Sequence, residues 1–310
     1  MATTCTAARV TTRVAAYVLA LVSLAMVACS GGDKIVAPGA TNGGNTALVR
    51  ADSLYMANQM AAAASQAIKS LRQIQTPDLP LVGASAPTCT PATTTGGTDT
   101  NNNGVPDDRT LQYTTATCTQ NSAGTTTTVS GSVRTQDLGE LYAFRVTYNN
   151  LVVTATKGDS TVKSTLNGSF EYRYTSASVA SGLDNTTLSL DVRSGAGSQS
   201  LVRSANLSTQ FSPTGGSTIA VGRSLPAGSM TVTGTVSVSV LATGNAVVAG
   251  TPSSATLNMG VSTSVPLTMS ASCNSEPVFS VGTLNGNVTG SAIGAVSVRF
   301  VGCGGIPSKS

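Results

Sequence analysis

The chain of 310 residues has no histidine and no tryptophan, and only 10% of it is charged and 4% aromatic. Each shortage excludes something. Without histidine, neither a Ser-His-Asp nor a Cys-His nucleophile system can be assembled. The GxSxG elbow and the GxxxxGK[ST] phosphate loop are also missing. There is no CxxC pair, which together with the lack of histidine counts against a zinc site. The basic residues are scattered singly, with no stripe of bases and interleaved aromatics, so nucleic acid is excluded as a partner. Beyond the N-terminus no apolar run reaches the roughly 18 residues a membrane-spanning helix needs. Disorder normally combines low hydrophobicity with high charge. Here 40% of the residues are hydrophobic and few are charged, so the chain folds. Thr, Ser, Gly and Asn stand where charges usually do.

What is present begins at the N-terminus. Arg9 and Arg13 precede Val14 to Ala28, an uncharged run, followed by Cys29 and Ser-Gly-Gly-Asp. A basic stretch, an apolar stretch and a small residue before a cut describe a secretory signal. With the cysteine just after it, Met26-Val-Ala-Cys29 resembles the lipobox of bacterial lipoproteins. The resemblance implies an acylated Cys29, removal of residues 1–28, and attachment to the membrane through acyl chains. More than one chain makes such an anchor stable. Ser30, in place of the Asp that retains such proteins at the inner membrane, resembles an outer-membrane address. Loss of Arg9 and Arg13 takes the formal charge from +4 to +2. Residues 29–45, rich in Gly and Asn, form a flexible tether.

Of the six cysteines, Cys5 is lost with the signal and Cys29 is acylated. Cys89, Cys118, Cys273 and Cys303 remain for an oxidising compartment. Three pairings are open. Cys89–Cys118 and Cys273–Cys303 are favoured because shorter loops close at lower entropic cost.

Residues 46–75 have a helical period. Val49, Met56, Met60, Ala64, Ala67, Leu71 and Ile74 share one face, and Pro77 and Pro80 end the segment. Ala61 to Ala64 carry so little bulk that a sheet can approach closely. Core packing is favoured over a membrane-surface helix, because Arg50, Lys69 and Arg72 are too few for a basic face.

From about residue 110 the period changes to two. Met230, Val232, Gly234, Val236, Val238 and Val240 alternate with Thr and Ser, as do Tyr142, Phe144, Val146 and Tyr148. One apolar and one hydroxylated face is the pattern of antiparallel strands covered on one side. About ten to twelve strands are expected, with turns near 157–160, 176–185, 194–199, 212–228 and 289–294. Gly131, Gly168, Gly234 and Gly286 fall in phase with the apolar residues, where glycine lets a strand bend or another backbone approach. The expected fold is mainly β: a large curled antiparallel sheet or partly open barrel packed around one N-terminal α-helix, in a single domain over 46–310. The curl wraps the helix, an apolar ligand, or both.

One local motif carries chemistry. Asp99-Thr-Asn101-Asn-Asn103-Gly104-Val105-Pro-Asp107-Asp108 resembles the DxDxDG calcium loops of EF-hands, dockerins and thrombospondin type-3 repeats. The resemblance implies Ca²⁺ held by Asp99, Asn101, Asn103, the Val105 carbonyl and Asp107. Thr110 stands at the twelfth position, where an EF-hand has its bidentate Glu. A polar turn held by Asx hydrogen bonds is the alternative. Ser160-Thr-Val-Lys163 fits the S-x-x-K string, but in a strand Ser and Lys point to opposite faces. Nothing local brings Asp107, Asp108 and Glu140 together as a catalytic carboxylate pair. The chain therefore reads as a non-enzymatic, lipid-anchored envelope protein with a binding or structural role, contacting an apolar ligand or an envelope protein. The alternative is a cell-surface recognition or adhesion β-sandwich with a calcium-stiffened loop.

Overall fold

The computed structural model describes residues 90–122, 124–140, 142–195, 197–219, 226–243, 254–270, 279–291, 294–303 and 308–309. Thirteen strands make up the described regular structure: β1 (Thr93–Gly96), β2 (Asp108–Tyr113), β3 (Thr119–Ser122), β4 (Thr125–Asp137), β5 (Ala143–Lys157), β6 (Ser160–Ser176), β7 (Val179–Ser194), β8 (Gly197–Pro213), β9 (Gly228–Thr243), β10 (Ser254–Met269), β11 (Phe279–Gly290), β12 (Gly294–Phe300) and β13 (Ser308–Lys309). All belong to one sheet in the order β1-β2-β4-β5-β6-β7-β8-β9-β10-β11-β12-β13, with β3 on β4. Every pairing is antiparallel. The path ends in β1 and β13, which do not pair, so the sheet is not closed into a barrel. The two-sheet sandwich of the alternative reading gives way to one continuous sheet. No helix occurs among the described residues, and the segment expected to be helical, 46–75, lies outside them.

Hydroxyl and apolar residues alternate because the strand has a period of two. One long side of the sheet, the inner face, carries Val133, Tyr148, Val236, Met259 and Val288 in a single cross-strand row. All five belong to one core cluster of buried side chains. The same row on the outer face reads Arg134, Thr147, Ser169, Asn185, Asn206, Thr235 and Asn287. At one end of the inner face Tyr142, Phe144 and Tyr172 pack ring to ring at 5.6–6.0 Å. Farther across the sheet Phe279 meets Phe300 edge-on at 4.8 Å. Burying a Val, Leu, Phe or Met side chain contributes about 1.5–3 kcal/mol. This face is therefore the main stabilising surface.

One finding corrects the expected strand map, and a second gives the close backbone approach expected at the glycines its geometry, with Gly286 the exception. The stretch 176–185 was expected to be a turn, because Ser-Gly-Leu-Asp-Asn is turn-like in composition. Only the short Ser176–Val179 reversal turns, and β7 runs on through Asp184 and Asn185. The second concerns the in-phase glycines. Gly131 has φ 109° and Gly168 φ 101°. A Cβ at Gly131 would lie 2.0 Å from the Asn150 carbonyl oxygen, and one at Gly168 2.1 Å from that of Asn185. Gly286 differs: its φ is ordinary, and a Cβ there would meet the Met259 side chain instead. Beside Gly131 the β4–β5 register shifts between Ser130 and Ser132, and Asn150 takes φ 47°. Such bulges bend a strand and increase its twist.

Candidate functional site

The connection from β1 to β2 is the Asp99–Asp107 loop, and its side chains organise its own backbone. Asp99 accepts from the N–H groups of Asn103 (Oδ1, 3.2 Å) and Gly104 (Oδ2, 2.9 Å). Asn101 Oδ1 accepts from the Asn103 N–H at 3.1 Å, and Asn103 Oδ1 from the Val105 N–H at 2.8 Å. These are two successive Asx turns. Gly104, at φ 86°, supplies the left-handed residue that the sharp turn requires. Val105 is fully buried and belongs to the core cluster, so the loop is pinned to the inner face through its apolar residue. Asp107 closes the loop. It accepts from the Thr100 N–H at 3.1 Å and from the Thr100 hydroxyl, and those bonds hold its carboxyl below the usual range.

A residue not foreseen from the sequence joins this loop. Asp137, at the end of β4, accepts at Oδ2 from the side-chain amides of Asn101 (2.7 Å) and Asn103 (3.2 Å). Its backbone N–H donates to the carbonyls of Pro106 and Asp107 at 3.1 and 3.2 Å. The β2–β4 pairing, which sets Asp108 against Gln136, delivers it there. Asp99, Asp107 and Asp137 thus all touch one loop. Even so, no three Asp, Glu, His or Cys side chains among the described residues converge closely enough to hold a metal ion. The hydrogen bonds alone account for the loop's shape.

The other candidate residues go elsewhere. Asp108 is bound by Arg134 (Nε to Oδ1, 2.8 Å, with Nη2 on Oδ2), which lowers its carboxyl pKa. Glu140 pairs with Arg173, and Arg173 also reaches Glu171 at 3.3 Å, where Arg145 binds as well. Asp107, Asp108 and Glu140 therefore engage different partners. Ser160 and Lys163 both lie on β6, three positions apart. Cys118 and Cys303 are disulfide-bonded. Cys89 and Cys273, their expected partners, lie outside the described residues, as does Cys29.

A polar group on the inner face also went unforeseen. Asp184 is only 2% exposed and accepts from the Thr186 hydroxyl at 2.7 Å. Burial raises its pKa, opposed by the Thr186 bond and by the positive charge of Arg203. Arg203 and Thr209, both on β8, are also buried on this face, and the Thr209 hydroxyl donates to the Gly182 carbonyl. A buried acid among strands reads as a turn when only local composition is visible. No family model, no curated protein and no solved structure matches this chain.

Proposed function

We propose that this chain is a lipid-anchored, non-enzymatic protein of the bacterial cell envelope, attached to the outer membrane through acylated Cys29. The observation that carries the reading is the disulfide state of Cys118 and Cys303. Disulfides form and persist in oxidising compartments, which is where the Arg9-to-Cys29 sequence would send the chain. The sheet is the working body. We read it as curled about its apolar inner face, with the bulge at Asn150 and the left-handed strand glycines as the bending points. The helical segment 46–75 belongs to that interior. The role is binding or structural, toward an apolar ligand or an envelope protein. Intact-mass measurement of the protein isolated from membranes tests it. A chain beginning at Cys29 and carrying a diacylglyceryl group is expected, and a mature chain with an unmodified Cys29 would sink the reading.

One observation favours a second reading, recognition at the cell surface with a calcium-stiffened loop. Asp137, across the 99–107 loop from Asp99 and Asp107, binds the side-chain amides of Asn101 and Asn103, and Thr110 stands in place of the EF-hand Glu, so calcium binding would need these side chains to rearrange from the hydrogen-bonded turn. Extracellular calcium sites of this charge bind at about 10⁻⁴–10⁻³ M. Millimolar CaCl₂ is then expected to raise the melting temperature of the wild type, and not of Asp99→Ala or Asp137→Ala. A wild type that does not respond leaves the loop as a hydrogen-bonded turn.

A further inference from the structure

The exposed apolar side chains among the described residues are not scattered. Five large ones stand out, and three of them share one corner of the outer face: Val265 (47% exposed), Val281 (54%) and Val301 (57%). Strand register puts them together. Val265 pairs with Thr283 and Thr268 with Val281, which makes the two valines diagonal neighbours across β10 and β11. Gly282 pairs with Phe300, and the next step along that ladder sets Val301 against Val281. Exposed Arg299, the partner of Thr283, completes the corner on the same face. A bulge turns this corner outward. Between the Ser262–Thr233 and Leu267–Met230 pairs, four residues of β10 stand against two of β9. Pro266, exposed in the bulge, has no N–H to give the ladder. Thr263 takes over instead: its hydroxyl accepts from the Val232 N–H at 2.7 Å and donates to the Val232 carbonyl at 3.0 Å. Cys303, two residues past Val301, is disulfide-bonded, which ties down the end of β12. Bulges re-aim side chains, and this one presents Val265 and Pro266 to solvent.

Clustered apolar residues on a face otherwise built of Thr, Ser and Asn mark a contact site. Size and charge identify the partner. Three half-exposed valines and a proline fall far short of the roughly 800 Å² per partner that a stable interface between proteins buries, so a second copy of this chain is a poor fit. A lipid surface needs no such complementary area, because binding there scales with whatever apolar area enters the headgroup boundary, plus the attraction of bases to anionic lipid. No described residue of β8 to β13 is an acid that would repel such headgroups. Glu276, the one acid of the sequence beyond Asp191, lies outside the described residues. We infer that this corner touches an anionic phospholipid surface, with Val265, Val281 and Val301 at the headgroup boundary and Arg299 against the phosphates. The contact is separate from the acyl chains proposed on Cys29, and it decides which end of the sheet faces the bilayer. The other exposed pair, Val202 and Leu241, has an acid, Asp191, on the diagonal across β7 and β8, so the same chemistry does not extend to that end.

The test uses the whole secreted chain, made as Cys29→Ser, so that no acyl chain contributes. Vesicles of equal parts phosphatidylcholine and phosphatidylglycerol are titrated to millimolar lipid, and the bound fraction is read by co-sedimentation. The wild type is expected to bind them, and to bind vesicles of phosphatidylcholine alone more weakly. Val265→Thr, Val281→Thr and Val301→Thr together keep the shape of each side chain and match the hydroxyls around them. They are expected to weaken binding about tenfold with the melting temperature unchanged. Arg299→Gln is expected to weaken binding to the anionic vesicles about fivefold and to leave binding to phosphatidylcholine alone unaltered. Leu241→Thr, at the other end of the face, is expected to bind as the wild type does. If the triple variant melts lower, Val301→Thr alone replaces it, with a smaller loss of binding in the same direction. A wild type that does not bind at millimolar lipid, or a triple variant that binds equally well, would overturn the inference. So would a dimer of the wild type that the same substitutions abolish, which assigns the corner to a second copy. Acylation of Cys29 is read independently by mass, so the anchoring proposal stands or falls apart from this one.

Discussion

At the residue scale the buried acid has the clearest consequence. Asp184 has a folded-state pKa above its ordinary value near 3.8, chiefly through desolvation. The native state therefore holds this proton more tightly than the unfolded chain does. Where the native state binds more protons, stability falls as pH rises. The contribution is intact below about pH 4 and is lost progressively from there up to the raised pKa. Thr186 and Arg203 reduce the loss without cancelling it. Asp184→Asn keeps the shape and an acceptor for Thr186 but has no charge to desolvate. Urea titrations of both proteins are expected to agree near pH 3.5 and to separate in favour of the variant toward pH 7. If the gap stays constant with pH, Asp184 is ionised in the fold at no cost and the desolvation argument fails.

At the element scale the alternation of apolar and hydroxyl residues made most of the sheet legible. Met230 to Val238 and Leu257 to Val261 contain no polar residue on the inner face, so their period is unbroken. The period fails at 181–187, because Asp184 and Thr186 occupy inner positions that the pattern reserves for apolar side chains. The loop at 99–107 was legible for the opposite reason: its Asx spacing is entirely local. Asp137 was not, because it reaches Asn101 across 36 residues and only the β2–β4 register places it there. The strand glycines were legible as positions but not as geometry. Gly168→Ala puts a methyl group against the Asn185 carbonyl at a positive φ. The β6–β7 ladder then has to shift, at a cost of about 2–4 kcal/mol. Gly260→Ala, in the same sheet but with open space around its Cβ and no positive φ, is expected to change stability by under about 1 kcal/mol. Chemical denaturation of the two variants gives the comparison, and similar losses would mean that the close approach at Gly168 is easily relieved.

At the scale of the molecule, charge and core are distributed differently. Among the described residues the ion pairs cluster on the outer face of β2, β4, β5 and β6, where Arg134–Asp108 and Arg145–Glu171–Arg173 lie, extended by Glu140 from the β4–β5 connection. From Ser204 to Val298 the sequence carries only two charged residues, Arg223 and Glu276, both outside the described residues. Paired charges that are partly exposed contribute about 0–1 kcal/mol each, so this asymmetry divides the surface without dividing the stability. The core does not follow the division. A single cluster of buried side chains runs from Val129 on β4 through Leu207 on β8 to Phe300 on β12. In a meander each strand contacts its sequence neighbours, which by itself allows a sheet to fray from one end, as repeat proteins can. A shared interior opposes fraying, because removing one edge uncovers apolar surface on strands that remain. Both edges are also short, four residues in β1 and two in β13, which leaves little edge from which fraying could start. The two halves should therefore unfold together. Calorimetry of the disulfide-intact secreted chain is expected to give one transition whose calorimetric and van't Hoff enthalpies agree. Two resolved transitions, or a calorimetric enthalpy near twice the van't Hoff value, would mean that the charge-rich and charge-poor halves have separate cores.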